Sequence, residues 1–334
     1  MPGVDPLTSF APSAVATGPA GQRRIDVVFA APSNLWHLVY QEPDGWTPHW
    51  RKRGGDYKSA VSVCAFSGGR LDTFGLGNDG HLYHATGLSP HLDGAGFWPT
   101  DDLGHPDGRT IISSPAGVAY GPTGLAAVVR TARDTNHAPG IWFVELETGG
   151  LPGTANWNWR PHLIETWPHS PGAVVTSGPG LTWRAPGVFD LAVIDTFSQL
   201  RHSQSPDVWE VFDGPREGTL TSSPSMTFWH EPALPCVHIA TCFGPTPLEP
   251  GAVVVKSWLG EHWTPQRLIF TNGDFGGRGV LGPPALTSWG EPRLDVFFLT
   301  ATDVAGGNLA LTHGWWEGPG NAWHFENLPA PPVT

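Results

Sequence analysis

Cysteine is nearly missing from this chain: 334 residues hold three, Cys64, Cys236 and Cys242. An odd, sparse set of this kind is unlike the disulfide framework of a small secreted domain, and the three read as buried small hydrophobes with no redox role. Charge is scarce too. Asp, Glu, Lys and Arg make up 14% of the chain, against about 25% in ordinary globular proteins. The net charge is −12 and no basic run exceeds Arg51-Lys52-Arg53. Nucleic acid and anionic membrane surfaces both need clustered positive charge, so neither is an expected partner. No apolar run approaches the ~18 residues of a membrane span. No Asn-x-Ser/Thr sequon occurs, and the N-terminus lacks the basic and apolar regions of a signal peptide. The expectation is cytoplasmic residence, although a secreted form with its signal already removed reads the same way. Helical windows are also missing, because Gly or Pro interrupts almost every stretch long enough to hold one.

The familiar catalytic signatures are absent as well. Gly273-Asp-Phe-Gly-Gly277 lacks the Gly-Lys-Ser/Thr ending of a phosphate loop, and no Gly-x-Ser-x-Gly elbow occurs. The pair His81-x-x-His84 has metal-like spacing, but on a strand its side chains face opposite sides and no further ligand stands at suitable spacing. Asn78-Asp-Gly80 is a hairpin turn rather than a calcium loop, since acids at alternate positions are missing. No cofactor and no metal are implied.

What the chain does have is turn formers and aromatics: Gly 43, Pro 35, Trp 17 and Phe 16. Abundant aromatics argue against disorder, and together with so many turn residues they predict many short strands. Those strands repeat. One unit runs Ser67-Gly-Gly-Arg-Leu-Asp-Thr-Phe74, Gly77-Asn-Asp-Gly-His-Leu-Tyr-His84, Phe97-Trp98. A near-copy runs Gly290-Glu-Pro-Arg-Leu-Asp-Val-Phe297, Leu311-Thr-His313, Ala322-Trp323. The acidic position of the second strand falls at Asp26, Asp72, Ala126, Asp190, His238 and Asp295, an interval of about 54 residues that suits four short strands. Most copies open on a proline before small residues, as in Pro12-Ser-Ala-Val15 and Pro284-Ala-Leu286.

Six whole units predict one all-β domain over residues 1–334, a closed six-bladed β-propeller of four-stranded antiparallel blades. The repeats fall at about 8–55, 56–108, 109–168, 169–218, 219–277 and 278–334. The late tryptophans Trp46, Trp98, Trp159, Trp209, Trp263 and Trp323 are the expected pegs between blades, each burying about 150–250 Å². The repeated acids Asp26, Asp72, Asp190 and Asp295 are expected to bond turn backbone. The repeated His37, His84, His202 and His313 are expected to cap or peg blades.

The Pro-small strand, the Arg-Leu-Asp-x-Phe stretch, Asn-Asp-Gly-x-Leu-Tyr-His and the late Trp together resemble the fucose-binding β-propeller lectins, over about Pro12 to Leu328. The resemblance implies sugar sites in clefts between blades, with apolar sugar faces on Trp or Tyr and polar side chains on the hydroxyls. The residue before the third-strand His reads Trp36, Tyr83, Arg201 and Thr312, with Trp142 in a copy lacking the His. That variety implies reduced valency.

A second reading comes from unequal loops. The connection between second and third strands lengthens to 131–140, 243–251 and 300–307 in the third, fifth and sixth repeats. Such loops crowd one end of the channel, which suits one pocket. Fungal hetero-Diels–Alderases also resemble these lectins, and an aromatic-lined pocket that orients two reactants needs no nucleophile or metal. The expected partner in both readings is a glycan or small-molecule ligand. Candidate contacts are Trp36, Tyr83, Trp142, Arg201, the pair Trp315-Trp316 whose rings face opposite ways, Trp258 and Trp289. Near the long loops, Arg130, Asp134, His137 and Asp303 complete the set.

Overall fold

The computed structural model describes residues 11–31, 33–66, 69–87, 96–121, 123–133, 140–146, 157–162, 174–204, 209–211, 219–230, 235–244, 251–259, 262–265, 267–270, 279–290, 292–301, 309–318 and 320–332. It contains six antiparallel sheets and, among the described residues, no α-helix.

Blade 1 pairs Pro12–Thr17, Arg24–Ala31 and Asn34–Gln41, with Gly45–Trp46 and Arg51–Gly54 both on the third strand. Blade 2 pairs Ser62–Phe66, Arg70–Leu76, Leu82–Gly87 and Thr100–Asp102. Blade 3 uses Ala116–Tyr120, Gly124–Arg130, Ile141–Leu146 and Trp157–His162, and blade 4 Gly180–Ala185, Val188–Ile194, Leu200–Gln204 and Trp209–Val211. In blade 5, Thr219–Leu220 and Ser225–His230 both pair with Pro235–Gly244, followed by Ala252–Leu259 and Arg267–Phe270. Blade 6 runs Val280–Thr287, Leu294–Ala301, Leu309–Trp316 and His324–Leu328. Among the described residues each blade is one continuous segment, with no strand exchanged between the two ends. The innermost strands lie side by side around the ring, and Pro12–Thr17 meets Val280–Thr287 to close it.

The second strands are buried on both faces, as the run Leu294, Val296, Phe297, Phe298 and Leu299 shows. This burial explains their near-continuous apolar sequence. The inner strands carry small residues because six of them converge on the axis. They leave a channel of about 110 Å³ lined by Ala, Ser, Pro and Val side chains such as Ser13, Val61, Ala116 and Pro224. Hydroxyl groups join blades here. Ser13 accepts from Val63 N (2.9 Å), Ser62 from Gly117 N (2.8 Å), Ser225 from Leu286 N (2.9 Å) and Thr287 from Ala16 N (2.9 Å).

The repeated acids do something other than bond turn backbone. Each is buried and clamped by an arginine and a histidine. Asp26 takes Arg24 at 2.7 Å and His37 Nε2 at 2.7 Å, and Asp72 takes Arg70 and His84 at the same distances. Asp295 takes Arg293 (2.9 Å) and His313 (2.8 Å), and Asp190 takes Arg184 and His202. Sequence separation hid this arrangement, because the histidine arrives on the neighbouring strand. A buried carboxylate needs such partners.

The next blade's tryptophan then packs on that histidine, as the peg expectation required. Trp46 meets His313, Trp98 meets His37 and Trp263 meets His202, at centroid distances of 5.5, 5.5 and 4.9 Å. In blade 3 the ring on His84 is Trp157 (5.0 Å) rather than Trp159, which donates its Nε1 to Leu103 O of blade 2. Trp323 stacks with Trp316, which lies flat on Trp229 of blade 5. Trp209 lies in the outer strand of blade 4, and its side chain falls outside the described residues.

His37 and His313 sit in opposite electrostatic settings. Arg53 donates to His37 Nδ1 (3.1 Å), so the ring's proton sits on Nε2 and points at Asp26. Burial, with Arg53 alongside, holds His37 below its ordinary value. His313 instead faces Asp295 through Nε2 and Glu326 through Nδ1 (2.8 Å each). Burial works against its charge, but the two carboxylates outweigh it and raise the pKa, favouring imidazolium.

Candidate ligand-binding site

At the end of each sheet where the first and second strands turn, three repeat positions meet. They are the end of the inner strand, the residue two before the acid, and the third-strand residue opposite the acid. The register gives Thr17, Arg24 and Val39 in blade 1, and Phe66, Arg70 and Thr86 in blade 2. It gives Tyr120, Gly124 and Glu145 in blade 3, and Trp229, Cys236 and Ser257 in blade 5. In blade 4 a bulge lets Arg184 of the inner strand supply the guanidinium, with Gln204 opposite the acid. In blade 6 the inner strand ends at Thr287 and Trp289 lies two residues beyond it, Arg293 precedes the acid and Trp315 lies opposite it. Among the described residues, blade 6 alone therefore sets an arginine between two tryptophans.

Arg293 lies 4.8 Å from the Trp289 ring centroid and 5.8 Å from that of Trp315. Its Nε and Nη2 hold Asp295, and Nη1 stands 3.7 Å from the exposed Glu317. About a fifth of the side chain stays open to solvent (22%). Trp289 is fixed as a slab: its Nε1 donates to Thr17 O and Arg24 O of blade 1 at 3.0 and 3.1 Å. Arg23 of blade 1 also stands over its ring, at 5.6 Å. Trp315 stacks with His313 and His324 at 5.3 and 5.2 Å. On the wall from blade 1, Trp46 donates to Glu326 Oε1 (3.0 Å), and Trp50 donates to Pro329 O (3.0 Å). His313 bonds the same Glu326 oxygen, which lowers the Glu326 pKa and keeps this half-exposed carboxylate charged. The cleft between blades 6 and 1 thus presents flat apolar rings, a held guanidinium and two acceptor carboxylates. It suits a small ligand with one apolar face and several hydroxyl groups.

Of the residues singled out in sequence, Trp289 and Trp315 meet here. Trp316 points the other way, into the joint with blade 5. Tyr83 lies at the opposite end of blade 2, bonded to Asp79 at 2.6 Å. Arg201 is buried and locked to Asp195 (Nε at 2.8 Å) and Gln199. Trp142 is buried beneath the Arg109 guanidinium. Trp36 packs in the core between blades 1 and 6, and Trp258 packs on Trp263. Arg130 bridges to blade 4 through Val175 O (2.7 Å). Asp134, His137 and Asp303 lie outside the described residues, as do most of the long loops that carry them. Sequence reasoning missed Arg293, Glu326 and Glu317. The Arg-Leu-Asp motif did contain Arg293, two residues before the acid and so on the same strand face.

No protein-family model matches the chain, and no curated protein matches its sequence. Solved structures do. The lectin of Aleuria aurantia, solved with alpha-methyl-L-fucoside, has a TM-score of 0.66 at 14% identity, over 97% of this chain and 96% of that one. The BP39L lectin from Burkholderia pseudomallei gives 0.58 at 18% identity, over 97% and 86%. SapL1 lectin, solved with alpha methyl fucoside, gives 0.57 at 17% identity, over 98% and 99%. At these identities the likeness establishes the shared six-bladed propeller fold.

Proposed function

We propose that this protein is a carbohydrate-binding propeller of reduced valency, with its principal sugar site in the cleft between blades 6 and 1. The observation that carries the proposal is Arg293 held between Trp289 and Trp315, a combination that the described residues of the other blades do not repeat. A pyranose presents an apolar C–H face, which stacks on an indole, and hydroxyls, which accept from a guanidinium and donate to carboxylates. Arg293 fills the donor role, and Glu326 and Glu317 are the acceptors. The fold shared with lectins solved with fucosides supports an L-fucose-type ligand. Because the arginine–aromatic set is complete in one blade, one principal site per chain is expected, in place of a ring of six.

Isothermal titration with alpha-methyl-L-fucoside and a panel of simple sugars tests this. The expected result is saturable heat with about one site per chain. Trp315→Ala, checked for intact folding, should weaken binding about five- to tenfold, the scale of a lost stacking ring of about 1–1.5 kcal/mol. No heat with any sugar, or an unchanged affinity in that variant, overturns the assignment.

A further inference from the structure

At the opposite end of the blades, where second and third strands turn, a cavity of about 390 Å³ lies beside blade 2. That volume falls within the roughly 300–1,000 Å³ of small-molecule sites. Asp56, Tyr57, Asn78, Asp79, Tyr83 and Thr100 line it. Asn78 donates to Asp56 Oδ1 (2.6 Å), and Asp79 accepts from His81 N (3.0 Å) and the Tyr83 hydroxyl (2.6 Å). The acceptors are therefore held in place before any ligand arrives.

Tyr57 is the telling residue. It is only 7% exposed, yet its hydroxyl has no hydrogen-bond partner among the described residues. Glycines make room for it: a Cβ would lie 2.2 Å from the ring at Gly55 and 2.5 Å at Gly75. That hydroxyl keeps access to solvent on the cavity side, so it is free to meet an acceptor of a bound ligand. The lining also carries two carboxylates and no basic side chain. Lys58 stands with its Nζ beside Gly80, and His81 bonds Asp102 at 2.9 Å while standing 4.0 Å from Asp79; neither is part of the lining. The Tyr83 hydrogen bond holds Asp79 below the usual carboxylate range, so the acid is ionised near neutrality.

We propose that this cavity is a second ligand site, selective for a small hydroxylated ammonium ion of the amino-sugar class. The ammonium group sits against Asp56 and Asp79 over the tyrosine rings, and a hydroxyl meets Tyr57. The site is independent of the Arg293 cleft.

Titration with D-glucosamine, D-glucose and Nα-acetyl-lysine amide tests it. Glucosamine should bind at least tenfold more tightly than glucose, whose hydroxyls are similar but which lacks the charge, and more tightly than the lysine amide. Asp56→Asn should weaken glucosamine about tenfold, and Tyr57→Phe should weaken it without unfolding the chain. Trp315→Ala should leave glucosamine binding intact while fucoside binding falls, which separates this site from the cleft. Equal affinity for glucose and glucosamine, tighter binding of the lysine amide, or indifference to Asp56→Asn overturns the proposal.

Discussion

Replacing His238 should remove a defined share of the protein's acid sensitivity. His238 occupies the repeat position that holds an acid in four other blades. It is buried, with Nδ1 on Ser257 Oγ at 2.7 Å and the Trp229 ring 4.3 Å away. Burial without a carboxylate depresses its pKa to about 3. The unfolded chain takes up this proton near pH 6.5, so between pH 6.5 and 3 the unfolded state binds more protons and stability is lost as the pH is lowered. Between pH 6.5 and 5 the window spans about 1.5 units, worth roughly 2 kcal/mol at ~1.4 kcal/mol per unit. His37 is also depressed and adds a loss of the same sign. The raised His313 and His81 lose their contribution only as pH rises above about 6.5, outside this window. Urea unfolding of the wild type and His238→Gln at pH 7.5, 6.5, 5.5 and 5.0, followed by tryptophan fluorescence, reads the difference in slope. The wild type should lose about 2 kcal/mol more than the variant between pH 6.5 and 5. Parallel curves would refute the reasoning, whatever the variant's absolute stability.

Two further outcomes follow from the fold. Ser62→Ala removes the hydroxyl that accepts Gly117 N between blades 2 and 3, and unfolding in urea should show a loss of about 1–3 kcal/mol. Arg201→Ala leaves the buried Asp195 without its guanidinium. It should cost about 3–5 kcal/mol in the same assay while leaving fucoside affinity unchanged, because Arg201 is far from reach of any ligand when it is this deeply enclosed.

The blade count was legible because a repeat writes one pattern six times, and the peg role of Trp46, Trp98 and Trp263 followed from their spacing. The partners of the acids were not legible. Asp26 meets His37, eleven residues on, whereas Asp295 meets His313 eighteen residues on. Hairpin length sets that distance, so no fixed spacing in the chain announces the pair. The cleft was half legible: Trp289 and Trp315 stood out as aromatics beyond the repeat, but Arg293 was hidden inside a motif that also builds blades 1 and 2. Arg201 shows the reverse case. Its place in the repeat suggested a ligand contact, and Asp195, supplied by its own hairpin, claims it instead.

Each blade is one continuous segment, so five joints in the ring unite neighbours that are consecutive in the chain, while the sixth unites its two ends. Closing that last joint draws together points separated by about six times more chain, which by loop-closure entropy costs roughly 1.5 kcal/mol more than any other joint. Three indole groups donate across it, from Trp46, Trp50 and Trp289. At about 1 kcal/mol for each such bond, they offset the added entropy of a ring that must fasten itself without a shared strand. Trp289, which lines the cleft proposed for the sugar, is one of the fasteners, so a ligand bound there would also help keep the ring shut.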